Sequence, residues 1–429
     1  MNYVVITLLG ALAAILSNLG LAVFNDGLRP IIPEYLEGRM DKKALAATSF
    51  ALSFGLVIGY GIPVSIAASI ILIHSVLLGT DIIGTWSPKG TKGVIIAGIV
   101  GALYGLGLVI GLDFVVNLFA KLPVNFLGNL GKVGDPINSA FAVFPALVVA
   151  YQFGVLKGGI TLFLSFIVRQ IVQYYGIITL GDAKITLNAD GMALLAGMII
   201  LIIFAMREKA DPNAPKVDLT SIFSERVSKI KKNLPILVVM GGLISAATSL
   251  AMVAGDPISL NLLSEGKNVE AAMTAFARSI GFIPLVATTA ITTGVYAPAG
   301  MTFVFVTGLL IGNPILAFIA GAAVMAVEIL LLDVIARGMD KFPGLKKAGD
   351  NIRTAMTKVL EIALLVGGML SAYAMADKLG FFIVIGVYVL NKVSKKPIVD
   401  MAVGPVGAIA VGVIINILYL LKLYIPPAV

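Results

Sequence analysis

The sequence contains no cysteine, one histidine and one tryptophan among its 429 residues. The absence of cysteine excludes disulfide bonds, thiolate metal sites and cysteine nucleophiles. Charged residues are also scarce, at 13% of the chain, whereas soluble domains carry about 25%. With 59% hydrophobic residues and a mean hydropathy of +1.02, this composition is typical of an all-α integral membrane protein.

The net charge of +8 does not indicate nucleic acid, because the basic residues lie in short loops between apolar runs. We expect membrane lipid and a small polar solute as partners, no nucleic acid, and no metal or cofactor beyond a coupling Na⁺ or H⁺. HExxH and GxSxG motifs are absent and the embedded carboxylates are scattered, so we expect no enzymatic activity.

Fourteen apolar segments alternate with short polar loops, seven in each half of the chain. They lie near residues 3–24, 44–61, 62–79, 93–113, 136–156, 158–178 and 191–206, and near 234–254, 269–288, 297–311, 314–336, 354–376, 379–391 and 399–424. Runs of this kind match the length that a hydrocarbon core about 30 Å thick requires of a helix.

The two halves share short sequence blocks in the same order. ATSFALSFG at 47–55 matches MTAFARSIG at 273–281, and GDPINSA at 134–140 matches GDNIRTA at 349–355. Such ordered matches indicate an internal repeat. We therefore divide the chain into a first repeat at 1–206, a cytoplasmic linker at 207–232 and a second repeat at 233–429.

Seven segments per repeat predict that the second repeat is inverted relative to the first. With both termini outside, the loops predicted to be cytoplasmic carry 22 of the 31 basic residues, the outer loops carry six, and three lie within segments. This bias follows the preference of lysine and arginine for the cytoplasmic side. Parallel repeats would leave unexplained why loop 25–43 is basic and its counterpart 255–270 mostly acidic.

Each repeat also contains a Gly-x-x-x-Pro string, GYGIP at 59–63 and GVYAP at 294–298. Proline removes a backbone donor and disfavours helix just before it, so we predict helix breaks at both strings. Within lipid, such a break must be buried in protein or line a cavity. Re-entrant hairpins and paired short spans both fit, and two inverted hairpins would form an elevator-type carrier.

The strings NDGLRPIIPEYLEG (25–38), TDIIG (80–84), KLPVNFLGNLG (121–131) and SAFAVFPALVVAYQFG (139–154) resemble the YhfT family of bacterial inner-membrane proteins. The resemblance covers most of the chain. It implies a multi-pass transporter of the bacterial cytoplasmic membrane, but it supplies no substrate, mechanism or binding residue.

Substrate contacts are expected where helices are discontinuous, because freed backbone groups can bind solutes and ions there. The predicted substrate-binding residues are Tyr60, Gly61, Pro63, Asn138, Gln152, Thr288, Thr289, Thr292, Thr293, Gly294, Tyr296 and Pro298. The alternative for the threonines is that their hydroxyls bond back to their own helix.

Ionisable residues near or within spans are candidates for ion coupling. These are Asp26, Asp256, Glu328 and Glu361. For the two aspartates, helix capping is the favoured alternative, and Glu361 is expected to neutralise Lys358. Glu328 has no obvious charged partner nearby in the sequence, so it is a stronger candidate for proton coupling than Glu361. The alternative role for Glu328 is a buried ion pair with Arg278 or Arg169. The lone histidine, His74, is expected to be a satisfied core or interface residue, and a proton-handling role is its alternative.

These observations favour a secondary active transporter that moves a small polar solute by alternating access, with elevator-type architecture. The main alternative is a phosphotransferase-type sugar permease that needs soluble partners. A channel and a membrane-embedded enzyme fit less well. The sequence is compatible with a homodimer.

Overall fold

The computed structural model describes residues 2–180, 183–208, 219–341, 343–395, 397 and 400–425. Its helices are α1 Asn2–Asn18, α2 Ile31–Leu36, α3 Lys42–Leu56, α4 Ile62–Ala68, α5 Ile73–Trp86, α6 Gly90–Ala120, α7 Leu127–Leu130, α8 Gly134–Phe153, α9 Val155–Tyr175, α10 Ala189–Arg207, α11 Leu219–Lys232, α12 Leu234–Ser249, α13 Pro257–Ser264, α14 Asn268–Thr293, α15 Phe303–Leu310, α16 Pro314–Lys341, α17 Pro343–Val393 and α18 Asp400–Leu420. The strands are β1 Ile71–Leu72, β2 Ile177–Leu180, β3 Ala183–Thr186 and β4 Val253–Ala254. Helix α17 is kinked, because Ala376 and Asp377 leave helical dihedral angles.

The chain is an all-α, multi-pass membrane protein. Among the described residues, six helices are long and apolar enough to span a bilayer, or up to eight when each of two bent helix pairs is counted as one span. On α6, Ile95, Ile99, Leu103 and Phe114 are exposed although they are large and apolar. Lipid contact explains such a surface, and the predicted fold class is confirmed at this level.

The helices pack as two groups. In the first, which we call the core group, α1 packs against α5 and α6, α12 packs against α15 and α16, and α1 touches α12. In the second, the outer group, α8, α9 and α10 pack together and α17 packs against α8 and α18. Helix α14 lies between the groups, in contact with α15 on one side and with α10 and α17 on the other.

Glycines allow the closest helix contacts of the core group. A Cβ atom at Gly10 of α1 would lie 2.3 Å from the carbonyl oxygen of Gly101 of α6. The same arrangement joins α12 to α16, where a Cβ atom at Gly321 would lie 2.8 Å from the carbonyl oxygen of Gly241. Small residues of this kind let membrane helices approach until their backbones touch.

Four non-helical segments interrupt the core group, and they meet in pairs. Strand β1, just before α5, pairs in parallel with β4, just after α12. Residue Ala22, just after α1, forms a parallel bridge with Tyr296, which precedes α15. The bridge is held by the amide of Val23, which donates to the Tyr296 carbonyl at 3.0 Å, and by the amide of Tyr296, which donates to the Leu21 carbonyl at 3.0 Å. We call these four segments, residues 19–25, 69–72, 251–256 and 294–302, the junction.

Backbone strain is concentrated at the junction. Ser69, Ala251 and Thr302 adopt positive φ angles of 55°, 52° and 76°. Left-handed conformations are unfavourable for residues with a side chain, and they persist where the surrounding structure enforces them, commonly at functional sites.

The first predicted helix break is misplaced. Residues 57–61 form a π-helical turn that runs directly into α4, and the chain leaves the helix only at Ser69. The amide of Ile62 donates to the carbonyl of Val57, five residues back, and this wider turn accommodates Pro63, which has no backbone donor. The second predicted break is confirmed, because α14 ends at Thr293 and Gly294 caps it with a φ of 69°.

The predicted linker at 207–232 is partly helical. Its residues 219–232 form α11, which packs against α14 and α16, while residues 209–218 lie outside the described part of the chain.

Candidate functional site

On one side of the junction, Glu328 of α16 stabilises the segment before α15. Its Oε2 atom accepts hydrogen bonds from the Tyr296 hydroxyl at 3.1 Å and from the Met301 amide at 2.7 Å. Glu328 is only 4% exposed, and its Oε1 atom has no hydrogen bond of normal geometry among the described residues. The predicted alternative of a pair with Arg278 or Arg169 is wrong, because Arg278 pairs with Asp256 and Arg169 with Asp190.

Asp81 of α5 holds the paired segment after α1. Its carboxylate accepts from the amide of Phe24 at 3.0 Å and from the amide of Asn25 at 2.8 Å. The neighbouring Asp26 forms an ion pair with the buried Arg29. Arg29 also lies close enough to Asp81 and Tyr296 to interact with both electrostatically.

On the other side of the junction, Asp256 is the N-cap of α13. Its Oδ1 atom accepts from the Ser259 amide and its Oδ2 atom from the Ser259 hydroxyl, both at 2.8 Å. The capping role proposed for Asp256 is therefore confirmed. Arg278 of α14 lies beside it, with 3.4 Å between Arg278 Nε and Asp256 Oδ2, and donates from Nη1 to the Gly255 carbonyl at 2.8 Å.

Tyr60 and His74 complete this side. Their ring centroids are 5.2 Å apart in an edge-to-face arrangement, and the Phe24 and His74 ring centroids are 5.0 Å apart, also edge to face. The Tyr60 hydroxyl and His74 Nδ1 are buried and have no hydrogen-bond partner among the described residues. His74 was expected to be a satisfied core histidine, and this expectation is wrong.

The structure brings Tyr60, Gly61, Tyr296 and Pro298 to the junction, where all four are buried. Gly61 packs against the start of α5, since a Cβ atom there would lie 2.6 Å from the Ser75 hydroxyl oxygen.

The threonines at the end of α14 divide into two sets. Thr289 and Thr293 donate their hydroxyl hydrogens to carbonyls four residues back, at 2.7 and 2.6 Å, as the back-bonding alternative predicts. The side chains of Thr288, Thr292 and Asn138 lie outside the described residues.

Gln152 is not part of the junction. Its amide donates to Glu208 Oε2 at 2.7 Å and to the Gly344 carbonyl at 2.8 Å, so it joins the ends of α8 and α10 to the start of α17. Burial opposes ionisation of Glu208, but hydrogen bonds from Lys347 and Gln152, with the charge of Lys347, lower the pKa of this carboxyl. Glu361 is also elsewhere, paired with Lys358 at 3.5 Å as expected.

Sequence reasoning missed Asp81, Arg29, Arg278 and His74 as members of one site. Arg29 lies within the string NDGLRPIIPEYLEG, and Asp81 lies within TDIIG. Their association depends on which segments pair at the junction, and no local pattern reports that pairing.

Comparisons with known proteins show the family of this chain. The family model YhfT, described as a protein of unknown function, matches residues 2–424. The uncharacterized protein YhfT of Escherichia coli (strain K12) is 35% identical over 438 residues, which cover 99% of this chain and 98% of that protein. The chain belongs to the YhfT family. No solved structure matches it. The junction is thus a feature of a YhfT-family membrane protein, and its geometry carries the functional argument.

Proposed function

We propose that this YhfT-family protein is a secondary active transporter of the bacterial inner membrane, which binds a small polar solute at the junction and moves it by alternating access. The observation that carries the proposal is the convergence of interrupted helices, strained backbone and buried polar side chains at one place. Non-helical backbone at membrane depth is tolerated only inside protein or beside a polar cavity, and it is where transporters place their solutes.

Inverted repeats are the second part of the proposal. The two halves use equivalent contacts, since α1 packs on α5 and α6 as α12 packs on α15 and α16, with glycine contacts in both pairs. The junction supports the same relation, because the segment after the first helix of each half pairs with the segment before α5 or α15 of the other half. A two-fold relation between the halves accounts for this exchange, and the odd number of predicted segments per repeat and the charge bias place the proposed axis in the membrane plane.

Elevator movement is the third part. All four junction segments flank helices of the core group, so bound solute would travel with that group. The outer group, which consists of α8 to α10 with α17 and α18, would then be the fixed scaffold. Helix α14 contacts both groups, so it lies at the interface along which the core group would slide past the outer group.

Glu328 is the proposed coupling residue. Its carboxylate is buried and accepts hydrogen bonds from Tyr296 and Met301, which both belong to the junction. Protonation of Glu328 would change the charge at the junction without breaking the chain packing around it. Intramembrane carboxylates with polar partners serve such proton relays.

Alternating access can be tested before a solute is known, because the chain has no cysteine. A single cysteine replacing the half-buried His74 should react with a membrane-impermeant maleimide in right-side-out vesicles and in inside-out vesicles. The control is a cysteine replacing Leu194, which is buried on α10 and should react from neither side. Labelling of the His74→Cys variant from neither side, or from one side only, would contradict alternating access.

Transport itself requires uptake. Sugars, amino acids, organic acids and inorganic ions would be screened for thermal stabilisation of the purified protein, and each binder would be tested in proteoliposomes. We expect concentrative uptake with an imposed proton gradient, and we expect Glu328→Gln to retain solute exchange while losing that concentrative step. Binders that never enter the vesicles, under a proton or a sodium gradient, would refute the proposal.

A further inference from the structure

Arg278, which contacts the junction at Gly255, has two buried nitrogen atoms without hydrogen-bond partners among the described residues. The side chain is only 4% exposed, yet neither Nε nor Nη2 has a hydrogen-bond partner among the described residues. The N–H groups of these two atoms point along the same edge of the guanidinium group. That edge matches the two oxygens of a carboxylate or another oxyanion.

Asp256 balances the charge of Arg278 but accepts no hydrogen bond from its Nε or Nη2 atoms. Both oxygens of Asp256 already accept hydrogen bonds from Ser259, and the 3.4 Å contact with Nε is an ion pair rather than a hydrogen bond. Buried donors of a charged group are costly to leave unpaired, so a group that supplies acceptors would be stabilised here.

Further unpaired polar atoms lie beside this edge. The Tyr60 hydroxyl and His74 Nδ1 are buried without partners, and both residues are near enough to Arg278 for electrostatic interaction. Tyr60 lies in the π-helical turn, a feature frequent at functional sites.

The guanidinium of Arg278 is held in place by two aromatic rings. The centroids of Phe282 and Phe305 lie 5.3 and 5.5 Å from it. Both distances are within the range of a cation–π interaction, which stabilises the guanidinium group in this position.

We propose that the solute bound at the junction is a small hydroxylated organic monoanion, whose carboxylate contacts Nε and Nη2 of Arg278 and whose hydroxyl groups contact Tyr60 and His74. This inference rests on the proposed function and names its substrate class. The sequence predicts only a small polar solute, and the buried Arg278 adds a positive charge beside the junction.

Gluconate and sorbitol form a matched pair of probes, since both are open six-carbon chains with the same hydroxyl groups and differ only at C1, a carboxylate in one and a CH₂OH group in the other. Binding to the purified full-length protein would be measured by thermal stabilisation and by calorimetric titration in a sulfate-free and phosphate-free buffer. We expect gluconate to stabilise the protein and sorbitol to have no effect at the same concentration. Stabilisation by sorbitol as strong as that by gluconate would overturn the proposal, and so would no effect of gluconate.

Variants separate binding from folding. Because the Tyr60 hydroxyl has no partner, Tyr60→Phe should keep or raise the melting temperature without ligand, yet weaken gluconate binding about fivefold to tenfold. The matched control is Tyr104→Phe, which removes a hydroxyl that donates to the Ser75 carbonyl at 2.7 Å. This control should lower the melting temperature and leave gluconate affinity unchanged.

The charge is tested by the double variant Arg278→Gln with Asp256→Asn, which removes both members of the pair and so leaves no unpaired buried charge. We expect gluconate affinity to fall about tenfold to a hundredfold. Unchanged affinity in this variant and in Tyr60→Phe would refute the site. If gluconate binds as expected but the cysteine at position 74 is never accessible from both sides, the transport proposal fails and the anion site stands. If a neutral solute is transported and gluconate does not bind, the transport proposal stands and the anion site fails.

Discussion

Glu328 offers a sharp test of how the junction is held together. Its Oε2 atom accepts both the Tyr296 hydroxyl and the Met301 amide. In Glu328→Ala these two buried donors lose their acceptor, and each unpaired group costs about 1–3 kcal/mol. We therefore expect the free energy of unfolding to fall by about 2–6 kcal/mol. Glu328→Gln keeps an acceptor oxygen at the same place, and we expect its change to stay within about 1 kcal/mol.

The measurement is equilibrium unfolding in mixed micelles titrated with sodium dodecyl sulfate, followed by far-ultraviolet circular dichroism. Glu361→Ala is the matched control, because Glu361 is also a glutamate of a long helix but is paired with the exposed Lys358. Exposed pairs contribute about 0–1 kcal/mol, so this variant should lose little. A loss in Glu328→Ala no larger than that in Glu361→Ala would refute the role assigned to this carboxylate.

Three further predictions follow from the same structure. Gly300→Ala places a Cβ atom 2.1 Å from the Glu328 carboxylate, at a residue whose φ is +55°. We expect this variant to lose at least about 1–3 kcal/mol of unfolding free energy in the same titration. The control is Gly312→Ala, whose new Cβ atom meets no neighbouring atom and should leave the unfolding free energy unchanged. Gly101→Ala forces α1 away from α6, and its melting temperature should fall clearly below that of the wild type. In intact cells, an impermeant maleimide should label a cysteine at Glu265 but not one at Thr220, and the opposite pattern would reverse the proposed topology.

Much of the fold could be predicted because its signals are local. Apolar runs located most of the long helices to within a few residues, and the segment predicted at 191–206 is α10, Ala189–Arg207. The break after α14 was also visible, since Gly294 and Pro298 both disfavour continued helix. The back-bonding of Thr289 and Thr293 was among the stated alternatives for the same reason, because each hydroxyl bonds within its own helix.

The helix break predicted at residues 59–63 was misplaced because proline constrains a helix without always ending it. Pro63 looks like a breaker in the sequence, but one extra residue in the preceding turn absorbs the missing donor. The true end at Ser69 has no proline or glycine to mark it. There the left-handed backbone is enforced by the pairing of β1 with β4, which lies in the other half of the chain.

The sequence by itself determined that this is a membrane protein of many helices, because hydropathy and length act within each segment. Only the tertiary structure decided which interrupted segments pair, and with them which polar side chains share a site. Arg278 and Tyr60 are 218 positions apart and on different helices, and no local pattern connects one with the other. Tertiary packing buries both near Asp256, just after strand β4, and this is why we propose that they share a ligand.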